Sequence, residues 1–396
     1  MMMPLARFSV YSIFAMVILF APPAAGPPLP EYLVATKDPI SGLTFTRITK
    51  PGNLGGGVQC STRYCSHRYS SAQAWNSDQT LLLIANGCGG LCFFDGHTYR
   101  PLFHRAMSGD CEWLPQSPEQ MLCVGDRDIR LWAPRTDAVV VLYTSATYKK
   151  LRLGPGKGNP SRDGQRIAVR AVRSDGGMVA FVYDIHTRIK YPDIDLARLP
   201  GTNGYCTITP LGEKVLCFQS LPDGTQQTFI FNVKGVLLQS WLENHRPGHG
   251  DMTVGSDGSE FIVGISKSPP DKYQVIKRRL DDGVVTTLMA YGEGTHVSLR
   301  AINRKGWAIV SYEGDLAEIA RHPNWAPYGR EIIALALDGS GKVRRIAETK
   351  NIKVDYYSET RGSPSPDGSQ IIWSSNWGKP GGPVYEFVTQ LTWPAN

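Results

Sequence analysis

The 396-residue sequence predicts an all-β fold made of repeated four-stranded sheets. From residue 40 onward, short runs of β-branched and aromatic residues alternate with clusters of Gly, Pro, Asp and Asn, a pattern typical of strands and turns. The stretch 245–264 shows the basic unit, in which a strand, an Asp257-Gly258 turn and a second strand form a β-hairpin. Seven such units follow one another along the chain.

The turns of these hairpins are regularly spaced. Equivalent turn residues follow at steps of 40, 45, 49, 45, 48 and 62, at Asp78, Pro118, Asp163, Gly212, Asp257, Lys305 and Asp367. A four-stranded propeller blade takes roughly 40–50 residues. The long last step contains an insertion, residues 322–328, in blade six. The spacing therefore predicts a seven-bladed β-propeller, with a miscounted six- or eight-bladed ring as the alternative.

Each blade is predicted from its own strands. The first and second strands are expected at 72–75 and 81–84, 111–114 and 121–124, 158–160 and 167–169, 206–208 and 215–218, 252–254 and 261–263, 297–302 and 307–310, and 362–364 and 371–373. Third and fourth strands are clearest at 178–183 with 187–191, 228–232 with 237–241, and 274–279 with 284–289. Blade seven ends with a single further run, 385–391, so the N-terminal run 43–48 is expected to pair with it and close the ring.

The N-terminus has the layout of a secretory signal peptide. Arg7 precedes an apolar run at residues 8–20, and small and Pro-rich residues follow. We expect residues 1–26 to be removed, which leaves one propeller domain, 27–396, in the periplasm or outside the cell, without a stable membrane span. An uncleaved anchor is the alternative.

Charge and composition restrict the partners. The net charge is +7, and no run of like charges or basic helix concentrates it, so a nucleic acid partner is not expected. A mild positive balance is compatible with an anionic ligand. We expect a monomer.

Eight cysteines, an even number, favour an oxidising compartment. Cys111 and Cys123, like Cys206 and Cys217, would face each other across a hairpin, where a disulfide is sterically allowed. Cys60, Cys65, Cys88 and Cys92 lie in short loops that could close locally or pair with each other. Free buried thiols are the alternative, and the spacings do not match a zinc module.

The first strand of every propeller blade lines the central channel, so the residues just before it should meet at one mouth. These positions hold a set of polar residues from all seven blades: His67, Tyr69, Asp110, Glu112, Lys157, Asn159, Asn203, Tyr205, His249, Asp251, His296, Ser298, Arg300, Tyr357, Glu359 and Arg361. Trp325 and Tyr328 on the blade-six insertion are candidates for stacking on a ligand. The competing interpretation is that the His and Asp residues form structural hydrogen-bond networks between blades.

Two family resemblances rest on short motifs. The turns Ser256-Asp257-Gly258 of blade five and Ser365-Pro366-Asp367-Gly368 of blade seven resemble those of TolB-like propeller repeats. The segments His67–Asp78 and Gly248–Gly258 look like blades of secreted polysaccharide lyases of propeller fold, notably the oligogalacturonate lyase family. That resemblance implies an acidic glycan substrate and a divalent metal (Mn or Ca) held by His near the channel mouth, with His249 the closest match and His67 and His296 as further ligands. The chain lacks a clear His-x-His pair, which departs from that pattern.

Lyase chemistry on a uronate needs a base, a cation that neutralises the carboxylate and an acid for the leaving oxygen. We assign His249 or His296 as base, Arg300 or Arg361 as cation, and Tyr69, Tyr205 or Tyr357 as acid. His67, Glu112, Asn159, Asn203, Trp325, Tyr328 and Glu359 are assigned to substrate binding. Hydrolysis by two carboxylates is a second mechanism, for which Asp110, Glu112, Asp251 and Glu359 are the placed acids. A non-catalytic, TolB-like ligand-binding or envelope scaffold propeller is the alternative function.

Overall fold

The computed structural model describes residues 28–107, 109–154, 158–242, 247–290, 294–313, 320–321 and 328–393. Their strands form seven antiparallel sheets in a ring, which is the predicted seven-bladed propeller. Six of these sheets are made of consecutive strands, and the seventh combines strands from both chain ends. The predicted signal peptide, Lys157 and Trp325 lie outside the described residues. No helix of the described residues is long and apolar enough to cross a membrane.

The blades are built from the inner strand outward. The strands of blades one to three are Leu81–Ile84, Leu91–Asp95 and Pro101–Arg105; Asp110–Trp113, Met121–Val124, Asp128–Ala133 and Ala138–Thr144; and Tyr148–Arg152, Arg166–Arg173, Met178–Asp184 and Ile194–Asp195. Those of blades four to six are Thr202–Ile208, Lys214–Ser220, Gln226–Asn232 and Leu237–Leu242; Pro247–Val254, Glu260–Ser266, Val275–Arg279 and Val285–Met289; and Gly294–Ser298, Trp307–Tyr312, Glu331–Ala336 and Val343–Glu348. Blade seven has Ser363–Pro364, Gln370–Ser375 and Tyr385–Gln390.

The two chain ends close the ring, as predicted. Thr44–Arg47 pairs antiparallel with Tyr385–Gln390 and supplies the fourth strand of blade seven. Ala35–Lys37 adds a fifth strand that the sequence analysis did not predict. A further unpredicted hairpin, Gly52–Gly55 with Val58–Cys60, lies beside the outer strand of blade one.

Several inner strands differ from the predicted bounds. In blade one only the Trp75–Leu82 bridge joins the inner segment to the sheet. In blade three the paired inner strand is Tyr148–Arg152, and 158–160 is unpaired because Pro160 has no N–H to donate and Gly158 packs against Leu153. The fourth strand of blade three is Ile194–Asp195 instead of 187–191, and the inner strand of blade six is Gly294–Ser298 instead of 297–302.

All eight cysteines form disulfides, in the pairs Cys60–Cys65, Cys88–Cys92, Cys111–Cys123 and Cys206–Cys217. The last two pairs face each other directly across the first hairpins of blades two and four, as predicted. The two loop pairs close locally and do not cross. Four disulfides are consistent with an oxidising compartment.

Candidate functional site

Antiparallel pairing determines which chain segments meet at each end of the channel. The start of each inner strand lies beside the end of the second strand of the same blade, so both segments reach one end, here called the upper mouth. Residues of blades five, six, seven and one meet there around two histidines, His249 and His296. We call these two residues the histidine pair.

The histidine pair contacts a tyrosine from blade one. His249 Nδ1 lies 3.2 Å from His296 Nε2 and 3.2 Å from the Tyr69 hydroxyl. The ring of His296 is edge-on to both other rings, with centroid distances of 4.9 Å to His249 and 5.2 Å to Tyr69. His249 is exposed to solvent, whereas His296 is buried. Three groups able to carry or accept a proton are therefore in contact at the upper mouth.

Backbone irregularities turn both histidines toward each other. The pairing register of blade five shifts between Gly248 and Asp251, and that of blade six shifts between Gly294 and His296, so each histidine lies at a bulge. His249 has φ 49°, a left-handed conformation that is unusual for a residue with a side chain. The neighbouring residue must be a glycine for steric reasons, because a Cβ at Gly250 would lie 2.2 Å from the Val263 carbonyl oxygen.

Burial keeps two members of this cluster, His296 and Tyr69, in their neutral forms. The pKa of His296 lies well below its ordinary value because its ring is desolvated and because His249, Arg361 and two lysines, Lys353 and Lys267, add positive charge nearby. Burial likewise raises the pKa of Tyr69. At neutral pH, His296 is therefore an uncharged imidazole and Tyr69 keeps its hydroxyl proton.

A chain of charged residues continues from His296 into blade seven. Glu359 Oε2 lies 3.5 Å from His296 Nε2 and accepts from Arg361 Nε and Nη2 at 3.3 and 3.1 Å. Its other oxygen pairs with Lys353 Nζ at 2.8 Å. Lys353 Nζ also lies 3.7 Å from Oε2 of buried Glu313, whose Oε1 accepts from the Thr360 N–H. The cationic side chains of Arg361 and Lys353 therefore lie on one side of the histidine pair.

Glu313 makes the stability of the protein depend on pH near neutrality. Burial raises its pKa to about 7, an effect that Lys353 partly opposes. Since the unfolded-state pKa is about 4.3, this group stabilises the fold fully below that value, and its contribution is lost as the pH rises through about 7. We expect Glu313→Gln to match the parent at about pH 4 and to exceed its free energy of unfolding at about pH 8–9 by about 1–3 kcal/mol. Urea unfolding at both pH values tests this, with exposed Glu119→Gln as the control; equal pH slopes for parent and Glu313→Gln would contradict it.

His67 lies below this cluster, and both of its ring nitrogens have protein partners. Nδ1 lies 2.8 Å from Glu386 Oε2, and Nε2 lies 2.8 Å from the Arg361 carbonyl oxygen. Both partners are acceptors, so each nitrogen is used in holding blade seven against blade one. His67 thus positions Arg361 and offers no lone pair to a metal or a substrate in this arrangement.

Arg300 lies deeper in the channel, in a bidentate ion pair with Asp251. Its Nε and Nη2 each lie 2.7 Å from an oxygen of Asp251, which also accepts from the Leu299 N–H. Glu112, another predicted binding residue, pairs with Arg68 Nη2 at 2.7 Å. Burial raises the pKa of Glu112, while Arg68 and Arg300 lower it. These four groups form a layer of paired charges under the upper mouth.

Polar side chains bridge the channel below that layer. Asn159 donates to the Ser71 carbonyl oxygen at 2.6 Å, and Gln73 donates to that of Arg300 at 2.9 Å. Arg162 of blade three reaches the Ile302 carbonyl oxygen of blade six, across the ring. The remaining channel cavity has a volume of about 60 Å³, enough for a few water molecules. Hydrogen bonds between non-adjacent blades therefore cross the channel below the upper mouth.

The remaining predicted residues lie apart from the histidine pair. Tyr205 packs on Phe218 at 5.0 Å and lines the channel cavity, and Asn203 bonds the Phe218 carbonyl oxygen and Arg170. Tyr328 packs on Tyr312 within blade six. Tyr357 stacks on Tyr64 in a cleft beside the mouth.

Sequence reasoning missed Glu313, Lys353, Lys267 and Tyr356. Glu313 and Lys267 directly follow the second strands of blades six and five, which end at the upper mouth. In an antiparallel pair, the end of the second strand lies beside the start of the first. The reasoning that selected the starts of first strands would therefore also have selected these positions. Lys353 and Tyr356 lie in a loop between blades and carried no such signal.

The charges around the histidine pair do not fit a divalent cation. The 3.2 Å separation of the two nitrogens suits two ligands of one metal ion. However, Glu359 is already paired with Arg361 and Lys353, and three cationic side chains lower the pKa of His296. Within the described residues, no group of three or more His, Cys, Asp or Glu side chains could hold a metal ion.

Comparisons with known proteins identify the fold. No protein-family model and no curated protein matches the chain. A solved structure of an oligogalacturonate lyase in complex with manganese is similar, with TM-score 0.63, 16% identity, and coverage of 93% of this chain and 98% of that one. An oligogalacturonate lyase from Vibrio parahaemolyticus is also similar, with TM-score 0.63, 11% identity, and coverage of 91% and 96%. The expected resemblance to this family is confirmed in the fold.

Proposed function

We propose that the chain is an exported lyase that cleaves a uronate-containing polysaccharide or oligosaccharide by β-elimination at the upper mouth. The observation that carries this proposal is the contact of Tyr69, His249 and His296 beside a cationic group of side chains. The fold shared with oligogalacturonate lyases supports an acidic oligosaccharide as substrate. The four disulfides support export, with residues 1–26 as the signal peptide and 27–396 as the domain.

We assign the catalytic roles of His249, Tyr69 and His296 from the exposure and the protonation state of each side chain. His249 is exposed and acts as the base that removes the proton on the carbon next to the uronate carboxylate. The electron pair of that C–H bond forms a C=C bond, the C–O bond to the neighbouring sugar breaks, and Tyr69, which keeps its proton, protonates the leaving oxygen. Neutral His296 accepts or donates at the His249 nitrogen and holds that ring in place.

Lys353 is the best-placed cation for the substrate carboxylate. Both Lys353 and Arg361 pair with Glu359, but the side chain of Lys353 is 44% exposed, whereas that of Arg361 is 2% exposed. A carboxylate placed beside Lys353 would be neutralised, which stabilises the carbanion-like transition state.

The direct test is incubation of the purified protein with polygalacturonate, alginate and glycosaminoglycans, while the absorbance of the unsaturated uronate product is recorded. Product from at least one polymer is expected. No product from any of them would overturn the lyase proposal. The alternative would then be the non-catalytic scaffold propeller. That function is favoured by the bonds that His67 and Arg300 make between blades and by the pairing of Arg361 with Glu359.

The cationic surroundings predict that activity does not need a metal. We expect the rate in EDTA to stay within about twofold of the untreated rate, because Lys353 supplies the positive charge. Millimolar Mn²⁺ or Ca²⁺ is expected to leave the thermal midpoint unchanged, since no cation binds the folded state. Loss of activity on chelation, with recovery on addition of Mn²⁺, would show instead that the histidine pair binds a metal ion.

A further inference from the structure

We infer that the cleft between blades seven and one is an accessory subsite that binds sugar units of an acidic oligosaccharide away from the reaction centre. This inference rests on the proposed function and specifies how that substrate is held. The cleft has a volume of about 350 Å³, at the lower end of the range of small-ligand pockets (~300–1,000 Å³). Its lining includes Arg63, Tyr64, Asp355, Tyr357 and Gly381.

The walls of the cleft are held by covalent and hydrogen bonds. Tyr64 lies in the loop closed by the Cys60–Cys65 disulfide and pairs with Val384 through a backbone bridge. On the other side, Asp355 begins the 3₁₀ turn Tyr356–Ser358 with a reciprocal capping box. A wall held in this way loses little entropy when a ligand binds.

Gly381 lines the cleft at an exposed position, and a Cβ built on it would have no neighbour within 4 Å, so this edge of the cleft faces solvent. The rings of Tyr64 and Tyr357, one from each wall, stack in parallel at 4.1 Å. Aromatic rings of this kind offer apolar area with a polar tip, which suits the mixed surface of a sugar ring.

Aromatic rings connect the cleft to the reaction centre. The Tyr357 ring lies 5.5 Å from that of Tyr356, which is 55% exposed. The Arg361 guanidinium lies 3.8 Å from the Tyr356 ring and 5.5 Å from the Tyr69 ring. The buried Arg361 thus connects Tyr356, beside the cleft, with Tyr69 of the reaction centre, so the two sites are neighbours.

Arg63 gives the cleft its preference for acidic sugars. Its side chain is 67% exposed at the rim, and Asp355 on the opposite wall pairs with it and orients it. A guanidinium has further donors for a carboxylate beyond those used by one partner. We assign Arg63 to the carboxylate of a uronate unit that lies against Tyr64 and Tyr357.

Chain-length dependence of binding tests this subsite. Calorimetric titration of the full chain carrying His249→Ala, which prevents turnover, would use galacturonate dimer and hexamer as probes. Adding Arg63→Ala or Tyr64→Ala is expected to weaken hexamer binding about tenfold and to leave dimer binding within about twofold. Arg198→Ala is the matched control, because Arg198 is also an exposed arginine paired with an aspartate, far from the cleft.

The outcomes separate the two proposals. Unchanged hexamer affinity in both variants, or no binding of any oligomer, overturns the subsite whatever the product assay shows. A different outcome is that binding depends on chain length and is lost in both variants, while the parent protein forms no unsaturated product. That outcome overturns the lyase proposal and retains the cleft as an acidic-glycan site. Thermal midpoints equal to that of the parent show that the variants are folded, and Tyr64→Phe, which keeps the ring, is expected to restore binding.

Discussion

Replacing His249 with alanine is expected to lower the turnover of a uronate substrate by about 10²–10⁴-fold, the usual contribution of a positioned general base. The residue is exposed and lies at a bulge, so little packing is lost. Histidine tolerates the left-handed conformation at φ 49° somewhat better than alanine, so the thermal midpoint should fall only slightly. The measurement is the initial rate of unsaturated-uronate formation alongside a thermal melt.

Two further variants define the role of His249. His186→Ala removes another exposed histidine, in a turn of blade three, and should leave the rate unchanged. Tyr69→Phe removes only the hydroxyl that contacts His249 Nδ1, and should lower turnover while keeping the edge-on ring contact with His296. A His249→Ala protein with parental activity would show that the histidine pair does not perform the chemistry.

Arg300→Ala is expected to destabilise the fold by about 3–5 kcal/mol, a large part of the ~5–15 kcal/mol that stabilises a typical domain. Asp251 would be left buried without the guanidinium that both of its oxygens accept from. Arg300→Lys should restore little of the lost stability, because an ammonium cannot make the two parallel bonds. Urea unfolding of the three proteins measures this effect.

The result also decides between two roles for Arg300. If this residue instead neutralised a substrate carboxylate, Arg300→Ala would melt like the parent and raise KM. The double variant Asp251→Leu/Arg300→Met provides the control, since replacing both members of a buried pair with apolar side chains is often neutral or stabilising. Recovery of stability in the double variant is expected.

The prediction of the fold succeeded where local patterns carry the information. The turn before each second strand, as at Ser256-Asp257-Gly258, depends on residues adjacent in the chain and was found in every blade. The pairs Cys111–Cys123 and Cys206–Cys217 followed from hairpin register for the same reason. The inner strand Tyr148–Arg152 was missed because a register shift between Tyr148 and Lys150 places its buried residues, Tyr148 and Leu151, three positions apart instead of two.

The candidate site was predicted only in outline. First strands begin at a common mouth, so sequence position alone selected Tyr69, His249, His296 and Glu359. Position in the sequence could not show which cationic side chains form ion pairs with other residues of the protein. Arg300, for example, pairs with Asp251 from the neighbouring blade, 49 residues away. Similarly, Glu386 lies 319 residues from His67, which it binds.

By itself, the sequence determined the repeat, the number of blades, the closure by the chain ends and the two hairpin disulfides. Each of these features depends on the pattern of residues within a short segment, or on a residue pattern that recurs at a fixed spacing. Only the tertiary structure decided which members of the polar set touch. Contact at the upper mouth depends on bulges at His249 and His296 and on ion pairs between blades, both of which arise when distant strands pack around one axis. Burial by that packing also keeps His296 neutral and Tyr69 protonated, the states on which the proposed chemistry depends.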